Sequence, residues 1–162
     1  MNKSSYLPFM NPIKHNIIAV LLLMSFGGFS QSKKIIGRQS QGICGTVVWK
    51  SGNQMPSPDV PASKGQAVER QVFIYELTNV SQIENREGFY RNPKSRLVKT
   101  TRSKKDGTFC VALRPGRYSV FVKESKGLYA NQFDDANNIF PVLVLRHSWQ
   151  KINFEVNYSA TY

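Results

Sequence analysis

Between residues 42 and 158 the chain alternates large apolar and polar side chains in short runs, broken by Gly, Pro, Asn and Asp. Alternation with period two predicts strands, and no stretch sustains the 3.6-residue period of a capped helix. Seven strands are predicted, at 43–50, 71–77, 97–102, 108–113, 118–124, 141–146 and 151–158. Asp106-Gly107 predicts a hairpin turn between the third and fourth, because glycine reaches positive φ at little cost. Arg114-Pro115-Gly116-Arg117 predicts the next turn, with proline presetting φ. The fold class expected is all-β: a seven-stranded sandwich of the immunoglobulin-like kind.

The same alternation assigns faces. Ile152, Phe154, Val156 and Tyr158 share one side of the last strand, and Lys151, Asn153, Glu155 and Asn157 the other. Tyr118, Val120 and Val122 alternate with Ser119, Phe121 and Lys123. Phe109, Val111 and Leu113 form one inward set, and Ile43, Val47 and Trp49 another. Each set is expected to line the inside of a two-sheet sandwich. Residues 51–70, with three prolines, and the polar, basic residues 78–96 are expected to be surface excursions on one domain.

The first thirty residues follow another pattern. Lys3, Lys14 and His15 precede an uncharged stretch centred on Ile17-Ile18-Ala19-Val20-Leu21-Leu22-Leu23-Met24, and Ser25, Gly27, Gly28 and Ser30 follow. A charged start, a short apolar run and a small-residue exit predict a secretory signal peptide over residues 1–30. The alternative is an uncleaved anchor; the run is shorter than the roughly 20 residues of a spanning helix. Residues 31–41 then form a short extension and 42–162 the domain. The mature chain is expected to have no transmembrane span and to be periplasmic, extracellular or at the cell surface.

Charge refines the choice of partners. The chain has 22 Lys and Arg against 10 Asp and Glu. Loss of Lys3 and Lys14 with residues 1–30 leaves a net charge of +10. Such a surface attracts anionic polysaccharide, anionic lipid headgroups or nucleic acid, and export argues against nucleic acid.

The order of signals resembles the carboxypeptidase regulatory-like domain, a transthyretin-like (prealbumin-like) sandwich. The matching pieces are Gly45-Thr46-Val47-Val48, Gly52-Asn53-Gln54-Met55-Pro56, Thr100-Thr101, Asp106-Gly107-Thr108-Phe109 and Pro115-Gly116-Arg117-Tyr118-Ser119-Val120, spread over roughly residues 42–158. The resemblance implies a non-catalytic accessory module of exported bacterial proteins, here expected to stand alone.

Two cysteines in an exported domain invite a disulfide. By alternation Cys44 and Cys110 both lie on outer faces, so neighbouring strands would let the sulfurs meet; the alternative is two free thiols. Enzymatic chemistry is not expected. Once residues 1–30 are removed, His147 is the one histidine. Transthyretin-like hydroxyisourate hydrolases use several histidines, and intradiol dioxygenases place two on iron. No cofactor and no metal site is expected. A lysine–asparagine cross-link is not expected either, since Lys50, Asn153 and Asn157 fall on outer faces.

Two segments remain as candidate binding surfaces. In residues 127–140, Tyr129, Asn131, Phe133, Asp134, Asp135 and Asn137 combine aromatic faces with amides and carboxylates, suited to a sugar or, as oxygen ligands, to calcium. The alternative is a loop capping one end of the sandwich. The second is the basic stretch with Arg91, Lys94, Arg96, Lys99, Arg102, Lys104 and Lys105, suited to anionic polymers or lipid headgroups, or serving only as a solvated sheet edge. The function expected is a binding or interaction module of the cell envelope, its ligand open. The alternatives are an assembly subunit that pairs through a strand edge, and a carbohydrate-binding module using residues 127–140.

Overall fold

The computed structural model describes residues 41–55 and 63–162. The expected signal peptide, nearly all of the 31–41 extension, and the proline-bearing part of the first excursion, 56–62, lie outside the described residues. What is described is an all-β sandwich of two sheets.

The smaller sheet is built on β1 (Gly42–Asn53). One side of β1 pairs in parallel with β11 (Trp149–Thr161), across a bulge between Trp49 and Ser51. The other side pairs with β7 (Thr108–Ala112) at Gly42 to Thr46, and with the short β2 (Gln66–Ala67) at Val48 and Trp49. Gly45 lets the strands approach: a Cβ there would stand 2.5 Å from the carbonyl oxygen of Ile152. Cys44 and Cys110 face each other across the β1–β7 ladder, with Cα atoms 4.1 Å apart, and form a disulfide.

The larger sheet runs β4 (Glu84–Arg86), β5 (Phe89–Arg91), β9 (Gly127–Tyr129), β8 (Gly116–Glu124), β3 (Gln71–Glu76) and β6 (Leu97–Arg102), with β10 (Pro141–Val144) pairing the first half of β8. All seven predicted strands are present. The additions are β2, β4, β5 and β9, each of two or three residues, too short for alternation to be read. They arise within the two excursions and the 127–140 loop, which are therefore partly sheet.

Between the sheets lie Ile43, Val47, Val72, Ile74, Phe109, Val111, Val120, Val122, Phe154 and Val156. Phe140 stacks on Phe154 with ring centroids 4.5 Å apart. Each fully buried aliphatic or Phe side chain contributes about 1.5–3 kcal/mol.

One reading is extended and one corrected. Alternation set Ser119 and Phe121 on the side of the strand away from Tyr118, Val120 and Val122, and that side too is fully buried at both. β8 is a central strand with both faces covered. Phe121 lies edge-on between Tyr75 and Tyr90, and the Ser119 hydroxyl accepts from the Thr78 amide at 2.9 Å. The correction concerns the Asp106-Gly107 turn. It joins β6 to β7, strands of different sheets, so it is a corner of the sandwich and not a hairpin within one sheet. Gly107 (φ +78°) is required there, since a Cβ would meet the Val47 carbonyl at 2.6 Å while the Gly107 carbonyl accepts from the Val47 amide.

Candidate functional site

At the Arg114 end of the sandwich, the start of β6, the end of β7 and the β7–β8 turn enclose an open cleft of about 630 Å³. Two chain segments bring two cations each. Arg96 immediately precedes β6, and Lys99 lies within it. Arg114 and Arg117 flank Pro115-Gly116 in the turn that leads into β8. Among the described residues Glu76 at the end of β3 is the one carboxylate in the lining.

The contacts show which cations are committed. Arg96 donates to Glu76 Oε1 through Nε at 3.1 Å and also through Nη2. Lys99 Nζ donates to the Ala112 carbonyl at 3.1 Å and so bridges β6 to the end of β7. Arg117 Nη2 reaches Asp134 Oδ2 at 3.1 Å. Among the described residues the exposed Arg114 guanidinium has no partner. Its backbone carbonyl accepts from the Tyr118 hydroxyl at 2.8 Å, which ties the turn to the first turn-facing residue of β8. Burial pushes the Tyr118 phenol above its usual pKa, while Arg114 and Arg96 pull it down and Glu76 pushes it up. Four cations around one lining carboxylate make this end of the molecule electropositive, and a concave wall of low dielectric focuses that field.

The expected loop residues are divided by the fold. Tyr129 is buried, and its hydroxyl donates to Asn157 Oδ1 at 2.7 Å. Asn131 lies against β11, its Nδ2 donating to the Glu155 carbonyl and to Asn157 Oδ1. Asp134 closes its own turn: its carboxylate accepts from the Ala136 and Asn138 amides and from Asn138 Nδ2. These bonds, with Arg117 nearby, hold the Asp134 pKa below the usual carboxylate value. Asn137 takes φ +60° in that turn. Phe133, Asp135 and Asn137 are exposed. Among the described residues no three His, Cys, Asp or Glu side chains converge as a metal site.

The basic stretch is divided as well. Arg96 and Lys99 enter the cleft, whereas Arg91 lines a groove on the outer face of the larger sheet. Arg102 pairs with Glu69 at 3.2 Å. Lys104 and Lys105 are exposed in the sandwich corner, and exposed Lys94 donates its amide to the Gln82 carbonyl. Sequence reasoning treated Arg114 and Arg117 as turn residues only. Their one signal was a pair of arginines flanking Pro-Gly, and nothing in the spacing links them to Arg96 or Lys99.

Fold and site together define a two-sheet β-sandwich with a cationic cleft at one end. No family model matches the chain, and no curated protein or solved structure matches it. No helix among the described residues is long and apolar enough to cross a membrane.

Proposed function

We propose that this chain is an exported, non-catalytic sandwich module, of the transthyretin-like, carboxypeptidase regulatory-like kind, that holds anionic groups of cell-envelope polymers. The observation that carries this reading is the cleft, where Arg96, Lys99, Arg114 and Arg117 surround a single lining carboxylate. A guanidinium with free donors is a fitting receptor for a carboxylate or phosphate, which it can grip through two parallel bonds. Among the described residues Arg114 has those donors free, and Arg117 meets Asp134 in an exposed pair at 3.1 Å. Export is supported by the charged start and apolar run of residues 1–30 and by a disulfide suited to an oxidising compartment. The test is retention of the disulfide-bonded protein on an immobilised carboxylate or phosphate polymer across a salt gradient. Replacing Arg96, Arg114 and Arg117 by Ser is expected to move elution to clearly lower salt with the thermal midpoint little changed. Unchanged elution would refute the cleft as the binding site.

A second reading, assembly through a strand edge, is favoured by one observation. Among the described residues β10 and β11 each have one unpaired edge, beside a groove of about 530 Å³, with Leu143 and Leu145 each 52% exposed. An extended partner strand pairs with such edges. Sedimentation of the protein alone and with envelope extract, before and after Leu143→Ser and Leu145→Ser, separates this reading from the first.

A further inference from the structure

The outer face of the larger sheet has a groove of about 410 Å³ that the cleft does not include. Its floor follows from register. Phe73 on β3 is opposite Phe121 on β8, so Phe73 and Tyr75 share the outer face with Phe121 and Lys123. Lys123 is opposite Leu128, and Leu128 opposite Tyr90, which carries the same face across β9 and β5. Phe73, Tyr75, Tyr90 and Leu128 all line the groove; the first two are half-buried and the last two buried. The rim is cationic. Arg91 lines it, its guanidinium oriented by two bonds to the Lys126 carbonyl at 3.0 and 3.3 Å, with Lys123 and Lys126 beside it. Among the described residues no carboxylate belongs to the lining, although Glu87 pairs with Lys126 at 3.5 Å and Glu84 accepts from Asn92 Nδ2 at 3.1 Å; Asn92 and Ser125 complete the lining with polar groups.

We propose that this groove is a second binding site, for the uronic-acid units of an acidic polysaccharide. The apolar face of a pyranose ring lies against Phe73 and Tyr75. The sugar carboxylate meets Arg91 and Lys123, and ring hydroxyls meet Asn92 and Ser125. The volume falls within the roughly 300–1,000 Å³ of small-ligand sites. An aromatic floor without cations would take neutral sugars, and cations without the floor would take any anion. The two together select a ring that carries its charge at the edge. This site is separate from the cleft and stands or falls without it.

The test is a two-dimensional amide NMR titration of the disulfide-bonded protein with a short oligogalacturonate. A neutral oligosaccharide of equal length, inorganic polyphosphate and a single-stranded oligonucleotide serve as comparisons. Shifts are expected at Phe73, Tyr75, Lys123 and Leu128 with the uronate and not with the neutral sugar. Arg91→Ser with Lys123→Ser is expected to weaken binding about ten-fold or more, since each removes a charged hydrogen bond. Phe73→Ala is expected to weaken it too, and the Ser pair serves as the control that does not touch packing. Arg114→Ser with Arg117→Ser is expected to leave this binding unchanged while moving retention by the cleft to lower salt. The proposal is overturned if the uronate does not bind, or if its shifts map only to the cleft. It is equally overturned if the neutral sugar binds as well, or if polyphosphate or the oligonucleotide binds this groove more tightly.

Discussion

Glu124 shows how one side chain can tie two strands and a connecting segment together. It is 7% exposed at the end of β8, takes Arg70 Nε at 2.7 Å and accepts from the Tyr158 hydroxyl of β11 at 3.0 Å. Arg70 remains about a third exposed, so water softens the loss of its partner. Glu124→Ala is therefore expected to lower stability by about 2 kcal/mol, less than for a fully buried pair, as read by urea unfolding. Asp134 carries a different prediction. Its folded pKa lies below the usual value, first because Asn138 donates to the carboxylate from side chain and backbone. A depressed carboxylate stabilises the fold above its unfolded pKa, and that stability is lost as pH falls through the folded value. Asp134→Ala is thus expected to melt lower than the parent at pH 7, with the gap narrowing below about pH 4. A gap that is constant with pH would reject this role. At this scale the sequence shows an Asp-Asp-Ala-Asn-Asn turn, but not that the Asp134 carboxylate also meets Arg117, seventeen residues earlier.

Among elements, the β1–β7 ladder carries the covalent link. The register sets Cys44 directly opposite Cys110, which encloses a loop with a sequence separation of 66. Replacing both cysteines by Ala is expected to cost about 4 kcal/mol by the chain-entropy account. Denaturation with and without reductant measures it, and a thiol count on unreduced, unfolded protein should find none. The faces of these two strands were legible because one side of each is apolar and the other polar. β8 was not legible in that way. Its alternation names only the inner face, and what covers the other face comes from distant segments: Tyr75, Tyr90 and Thr78. Phe121→Ala should therefore cost as much as a core deletion, about 3–5 kcal/mol, and not the small loss of a surface site.

For the whole molecule, tyrosines report on integrity. Burial raises the pKa of Tyr75, Tyr90, Tyr118, Tyr129 and Tyr158, in each case as the largest cause. A group with a raised folded pKa stabilises the fold below its unfolded value, and that stability is lost as pH rises through the folded one. Stability should hold up to about pH 10 and fall beyond it. Ultraviolet titration should then show most phenols ionising late, together with loss of the β-sheet circular dichroism signal. Free, stepwise ionisation near pH 10 would contradict the packing of the aromatic cluster at Trp49, Phe89, Tyr129 and Tyr158.

Local and periodic features could be read from the residues alone. Period-two alternation marked seven strands and most inward residues, because one pleated face must be apolar wherever a single sheet face is buried. Turn chemistry marked Asp106-Gly107 and Pro115-Gly116. Only the tertiary structure decided which strands are neighbours, and with that the sandwich corner at Gly107 and the parallel β1–β11 pairing. It also divided the basic stretch, sending Arg96 and Lys99 to the cleft and Arg91 to the outer groove, and brought Arg114 and Arg117 to join the first pair. The reason is physical. Alternation depends on neighbours two residues apart, whereas a binding surface is made by side chains that strand order brings together from distant parts of the chain.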